Sequence, residues 1–248
     1  TKSNLNFFII FISLIFTFTA IILSGGRNGV LIFFLILSLS IILKKELRIK
    51  IIIFTIISIL ITSFLISTSD NVKHRLIDWP STILFKNNSN LTKGILNSPW
   101  GAHYVTAYDI YKENKFFGSG YRTFREVCSP RNEEYLNQKY NLNISIDSGC
   151  STHPHNIYFE VISELGLFGI ILFTLMLYVV LMRPLLKFKK SKKVKNWEVS
   201  VFSFILIASI FFPFKPTGSI YTTWYATFLC FFVIFHLHNI TNLIERKE

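Results

Sequence analysis

The chain has 248 residues, of which 51% are hydrophobic and only 16% charged, with 26 Lys and Arg against 14 Asp and Glu. Soluble domains carry roughly a quarter charged residues, so this composition excludes an ordinary soluble domain and implies an integral membrane protein surrounded by lipid. The formal charge of +12 is not a nucleic-acid footprint, because the basic residues sit in short connections between apolar runs, and no nucleic-acid partner is expected.

In chain order, six apolar runs stand out, at 5–23, 29–43, 49–66, 157–182, 199–212 and 220–237. The first is longer than the apolar core of a signal peptide and is followed by further runs, so it reads as a span. A helix needs about 20 apolar residues to cross the hydrocarbon. The second, third and fifth runs fall short, which leaves two readings: flanking Lys and aromatic side chains extend them by snorkelling, or they are broken helices. The expected fold is an all-α integral membrane protein of about six transmembrane helices with one large, mainly helical extracytoplasmic insert. The expected divisions are transmembrane helices at 1–66, a periplasmic segment at 67–156 and transmembrane helices at 157–248.

Loop charge orients the chain. Lys44, Lys45, Arg48 and Lys50 fill one connection, and Arg183, Lys187, Lys189, Lys190, Lys192, Lys193 and Lys195 fill another. Short Lys/Arg-rich loops stay cytoplasmic. The segment 67–156 mixes both signs and is therefore expected outside, together with the turns at 24–28 and 212–223, with both termini inside. At 90 or so residues it is too long for a bare connector. Val105, Tyr108, Ile110 and Tyr111 give it partial helical spacing, which predicts a helix over 105–115.

Five motifs can carry chemistry. In Thr152-His153-Pro154-His155-Asn156, the proline biases the residue before it away from helix, so a helix begins afterwards with Asn156 as a cap. Glu160 and Glu164 follow Asn156 at four-residue steps on one face, and Gly166 and Gly169 would let another helix approach closely. His155 then sits at a helix start, where the positive helix end favours neutral imidazole, a base for a hydroxyl proton. The bland alternative is that His155 only caps the helix or lines the interface. In Ser24-Gly25-Gly26-Arg27-Asn28-Gly29, an arginine near the hydrocarbon boundary needs an anion or must snorkel, and the flanking glycines expose N–H groups that suit an anion. Arg27 and His155 fall on the same expected side and are expected to converge on one outward-facing cavity.

Gly118 and Gly120 make a tight turn before Arg122 and Arg125, which form either a second anion clamp or a solvated basic face. Cys128 and Cys150 bracket a polar stretch of the outer segment. In an oxidising compartment two such cysteines most often pair; the alternative is zinc held by Cys128, Cys150, His153 and His155, without the tight Cys-x-x-Cys spacing that metal sites prefer. Cys230 lies inside the last run as an apolar filler. Finally, Pro213 and Pro216 interrupt the pattern around Lys215, as a re-entrant wall of a site or an ordinary turn.

Taken together, His155-Asn156, nine residues, Gly166, two residues and Gly169 resemble the signature of the O-antigen ligase and polymerase superfamily. The Ser24–Gly29 turn resembles that family's arginine-bearing outer turn, and the stretch from Ala107 to Gly120 resembles its alanine-led helix and Gly-x-Gly turn. The order agrees from Ser24 to the last run. Family members are usually longer, with about twice as many spans, so the chain, which begins at Thr1 without Met, resembles a C-terminal part. The resemblance implies an inverting, metal-independent, GT-C-like glycosyltransferase with no cofactor, whose donor is a glycan on undecaprenyl diphosphate at the outer face of the bacterial inner membrane. It implies that Arg27 holds the donor diphosphate, with Arg122 and Arg125 as helpers, and that His155 is the base on the acceptor, a lipid A-core or other glycan. An O-antigen polymerase or a protein O-oligosaccharyltransferase would use the same parts. A transporter or non-catalytic membrane protein is the alternative of another class, and paired acids in mid-span, its expected mark, are absent from the sequence.

Overall fold

Runs of Phe, Ile and Leu satisfy their backbone most cheaply as helix when no water is at hand. In the computed structural model, which describes residues 2–85, 90–144, 149–188 and 197–245, every regular element is helical and no strand occurs among the described residues. The chain divides into two units, residues 1–82 and 83–248.

The first unit opens with α1 (Lys2–Leu23), α2 (Arg27–Leu43) and α3 (Arg48–Thr68). The short helix α4 (Asp70–Lys73) and a π-helical turn, His74–Asp78, lead to α5 (Trp79–Leu84). Its core is small: Phe18, Ile22 and Val72 are buried, with Phe33, Phe34 and Leu65 packed on them. The Phe18 and Phe33 rings lie 4.3 Å apart. Large side chains such as Phe16, Ile49 and Phe64 are exposed, a surface that suits hydrocarbon rather than water.

The second unit contains α6 (Leu91–Leu96), α7 (Pro99–Glu113), α8 (Phe124–Val127) and α9 (Glu133–Tyr140) before α10 (Ile157–Leu177). A π-helical turn, Tyr178–Met182, carries α10 into α11 (Arg183–Phe188), and α12 (Trp197–Ile210) and α13 (Thr223–Glu245) follow. Ile157, Val180, Ile207 and Phe211 form the core where α10, α12 and α13 meet. Helix α7 begins six residues before the predicted 105–115 segment. Its start is set by Ser98, whose hydroxyl accepts from the Gly101 N–H at 3.0 Å, with Pro99 in the first turn; a cap and an N1 proline outweigh the late onset of apolar spacing.

Among the described residues, three helices are long and apolar enough to cross a membrane: Lys45–Thr68, Ile157–Leu186 and Thr223–Ile240. Ile9–Leu23, Arg27–Leu43 and Trp197–Ile210 are apolar but shorter. The third run, too short by its apolar residues alone, reaches 24 residues because the helical path extends back through Lys45, Glu46 and Arg48. The lysines at 189, 190, 192, 193 and 195, expected on the cytoplasmic side, lie outside the described residues, as does Asp147.

One polar hub ties α7 to α9. Asp109 is fully buried and its carboxylate accepts from Arg131 Nε at 2.9 Å, Tyr135 O–H at 3.0 Å, Tyr140 O–H at 2.5 Å and Lys139 Nζ at 2.7 Å. Burial pushes this carboxyl upward, but the donors outweigh it and bring its pKa down to about 2. The Cys128–Cys150 disulfide, with Cα atoms 5.1 Å apart, ties the end of α8 to the approach to α10. It engages both sulfurs that the zinc alternative required.

Candidate active site

Helix α10 starts where the sequence places a proline, a histidine and an asparagine. Asn156 is the cap: its Oδ1 accepts from the N–H groups of Tyr158 at 3.0 Å and Phe159 at 3.4 Å. Its Nδ2 donates to the carbonyls of Pro213 at 2.8 Å and Lys215 at 3.3 Å. One amide thus ends one helix and binds the connection between α12 and α13. His155, just outside the helix, has φ +54°, a left-handed conformation that a non-glycine residue adopts only when its surroundings enforce it. The enforcement is visible: the His155 carbonyl accepts from the Thr217 N–H at 2.8 Å, and Pro154 before it is buried.

The bend turns the His155 ring into an aromatic cluster. Ring centroids of Trp100, His103 and His153 lie 5.3, 5.0 and 4.3 Å away. The other two imidazoles are held by hydrogen bonds, His153 at both nitrogens and His103 at Nδ1. His103 Nδ1 is 2.9 Å from the Gly149 carbonyl and therefore carries the proton. His153 Nε2 is 3.3 Å from the Thr217 carbonyl, which leaves its Nδ1 to accept from the Thr152 hydroxyl at 2.9 Å. The ring nitrogens of His155 have no hydrogen-bond partner among the described residues. Partial burial, and then the neighbouring His153 and His103, bring its pKa down to about 4. The expected cause of a neutral imidazole was the helix end; burial and two like neighbours are the causes the structure supplies. The result is a half-exposed, neutral ring with a free lone pair, which is what a proton acceptor at neutral pH requires.

Below it, both glutamates face inward. Glu160 accepts from the Ile220 N–H at 2.9 Å. Glu164 accepts from the N–H groups of Arg122 at 2.8 Å and Phe124 at 2.9 Å. They hold two connections against α10, Glu160 through the Ser219 side chain as well as backbone. At Gly166 the helix breaks, with φ +64° and ψ −157°, a region open essentially to glycine alone. The groups freed by the break pair with the Lys115–Gly120 turn. Ser119 and Gly120 N–H donate to the Ser163 and Glu164 carbonyls, each at 2.9 Å, and Leu167 and Phe168 N–H donate to Lys115 and Phe116 at 2.8 and 3.1 Å. A methyl at Gly166 would lie 2.6 Å from Phe116 backbone, and one at Gly118 2.4 Å from Glu164 backbone. The pair of glycines therefore admits a turn, where another helix was expected. At Gly169 an added methyl would meet Leu165 of the same helix at 2.2 Å, so no second helix is the constraint there either.

The remaining candidates are placed as follows. Arg27 opens α2 in the first unit, after the left-handed Gly25, and its guanidinium lies 3.8 Å over the Trp79 ring. Arg75, which sequence reading passed over, donates to the Ser24 carbonyl at 3.0 Å and packs on Gly25, so two guanidinium groups meet at one turn. Arg122 and Arg125 are exposed, with Arg122 at φ +58°. Trp100, His103 and Thr217 were also missed. They lie some fifty to sixty positions from His155 or on a different element, and no spacing rule links them to it.

A protein-family model described as O-antigen ligase matches residues 12–174, which contain Arg27, His155 and both motif glycines. Neither a curated protein nor a solved structure matches the chain.

Proposed function

The chain belongs to the O-antigen ligase family, and from that premise we propose that it is a membrane glycosyltransferase that moves a glycan from undecaprenyl diphosphate to a lipid A-core acceptor at the periplasmic face of the inner membrane. The observation that carries the reading is the His155 ring: neutral, half-exposed and with neither nitrogen hydrogen-bonded among the described residues, beside His153, engaged at both ring nitrogens, and His103, held through Nδ1.

In this reading the acceptor hydroxyl donates its proton to His155. Its oxygen attacks the anomeric carbon of the donor sugar from the face opposite the leaving group. The bond from that carbon to the diphosphate oxygen breaks, and undecaprenyl diphosphate departs with the bonding electrons, inverting the centre. Stabilising that diphosphate is the main electrostatic task. Arg27 is proposed for it because a guanidinium matches phosphate oxygens two at a time, and its stacking on Trp79 restricts its motion. Arg122 and Arg125 are proposed as helpers on the strength of the resemblance alone. A polymerase would run the same chemistry with a different acceptor.

The test is genetic and chemical. Deleting the gene should abolish long-chain lipopolysaccharide on a gel while lipid-linked glycan accumulates, and the His155→Asn gene should fail to restore it. Chains capped with a single repeat would instead point to the polymerase. Full-length lipopolysaccharide in the His155→Asn strain would overturn the catalytic assignment.

A further inference from the structure

The connection between α12 and α13 crosses the start of α10 and is pinned there at Pro213, Lys215, Thr217 and Ile220. Every one of those bonds uses backbone atoms of the connection. Three of its side-chain groups are left over, the buried Tyr221 hydroxyl among them. The Thr217 hydroxyl is buried, with the residue only 8% exposed, and has no partner among the described residues. Lys215 is half-buried, with neither an acid nor a hydrogen-bond acceptor beside its ammonium among the described residues. A buried hydroxyl left unpaired costs about 1–3 kcal/mol, and an unpaired ammonium shielded from water costs more. Pro213 and Pro216 stiffen the backbone around Lys215 and Thr217, so those two deficits are held in place. A water molecule could satisfy the hydroxyl but would leave the positive charge uncompensated. A phosphate group answers both.

We propose that Lys215 and Thr217 form an anion subsite that takes a phosphate group of the lipid-linked diphosphate next to His155. The proposal rests on the reading of His155 as the acceptor's base and adds two substrate-binding residues to it. Two features favour an oxyanion of this kind beside the histidines. The Thr217 backbone is bonded on both sides to the histidine cluster, through its N–H to His155 and its carbonyl to His153. The Lys215 carbonyl is bonded to the asparagine that follows His155. Burial also lowers the Lys215 pKa below the ordinary lysine range; a bound anion would offset that.

Binding to the full chain in lipid nanodiscs tests the proposal. The probes are undecaprenyl diphosphate, undecaprenol, inorganic pyrophosphate and, as the disc lipid, phosphatidylglycerol in place of phosphatidylcholine. Trp100, 5.3 Å from the His155 ring, reports through its fluorescence. Lys215→Ala should weaken undecaprenyl diphosphate binding roughly 10- to 100-fold, the loss expected for one hydrogen bond to a charged group. Lys215→Arg should stay within a few-fold of the parent, Thr217→Val should show a smaller loss, and undecaprenol should bind all of them alike. Lys215→Met keeps the side-chain stem, so a loss in that variant is a loss of charge rather than of packing. Lys215-dependent binding of pyrophosphate, or a Lys215-dependent effect of phosphatidylglycerol, supports the subsite and identifies free phosphate or a headgroup as the source. Undecaprenyl diphosphate binding that is unchanged in both Lys215→Ala and Lys215→Met overturns the proposal, as does an equal loss with undecaprenol. A chain that binds the diphosphate through Lys215 yet transfers no glycan sinks the transferase reading and leaves the subsite standing.

Discussion

Asp109 and His155 are both shielded ionisable groups in the second unit, and they are treated in opposite ways. Around Asp109 four donors converge, so each carboxylate oxygen carries two partners. Around His155 the neighbours are rings, two of them bonded elsewhere, and its own nitrogens have no partner among the described residues. A fully paired buried charge holds elements together and has nothing left to offer a ligand. A desolvated but unpaired base keeps its bonding capacity for something that arrives later. The contrast separates a structural hub from a candidate chemical site more sharply than burial does.

The largest effect should come from the unpaired group. His155→Asn keeps a residue that tolerates left-handed backbone and removes the imidazole, so single-turnover glycan transfer should fall about 10²- to 10⁴-fold with the melting temperature nearly unchanged. A loss of stability with little loss of transfer would make His155 a cap and merge the two regions into one class. Next, Asp109→Ala removes the buried acceptor shared by four donors and leaves Arg131 with Glu113 as its remaining acid, and should cost about 3 kcal/mol of stability, read by denaturant unfolding in detergent. Replacing Cys128 and Cys150 together by serine opens a link across 22 positions and should lower stability by roughly 3 kcal/mol, seen as a matching shift of the same transition.

The pH dependences sharpen the contrast at smaller amplitude. Asp109 has a pKa of about 2 in the fold against an ordinary 3.8, so its contribution is complete above the higher value and is lost as pH falls from 3.8 towards 2. His155 is also lowered, to about 4 from 6.5. The unfolded chain therefore takes up the proton first, and the stability tied to the neutral ring declines as pH falls from 6.5 towards 4. Transfer should follow the same ring, with the acid limb of kcat/KM near pH 4. A limb near 6.5 would mean that the cluster does not desolvate His155. His103→Leu, which removes one of the like neighbours, should move the limb upward.

Much of the fold was legible. Apolar runs longer than a strand can only be helices, and the Asn156 cap and the start of α10 follow from Pro154 and the polar-to-apolar change. The lengths were less so. The third run was extended by charged residues that hydropathy counts against it, and α7 began early because Ser98 and Pro99 nucleate it before the apolar spacing appears. At the candidate site, His155 stood out through its motif, whereas His103 and Trp100 belong to a helix fifty residues away and were brought alongside by tertiary packing.

By itself, then, the sequence determined what is local or statistical: an all-helical, lipid-facing chain, the helix start behind His155 and the family pattern of His155-Asn156 with Gly166 and Gly169. Composition and short-range spacing are enough for those, because helix formation and capping act within a few residues. Only the tertiary structure decided what Gly166 is for, which glutamate oxygen meets which backbone N–H, and why His155 is neutral. Those depend on contacts such as Gly166 with Phe116, Glu160 with Ile220 and His155 with His103. They join residues tens of positions apart, and desolvation, the largest influence on the His155 proton, exists only once those residues have met.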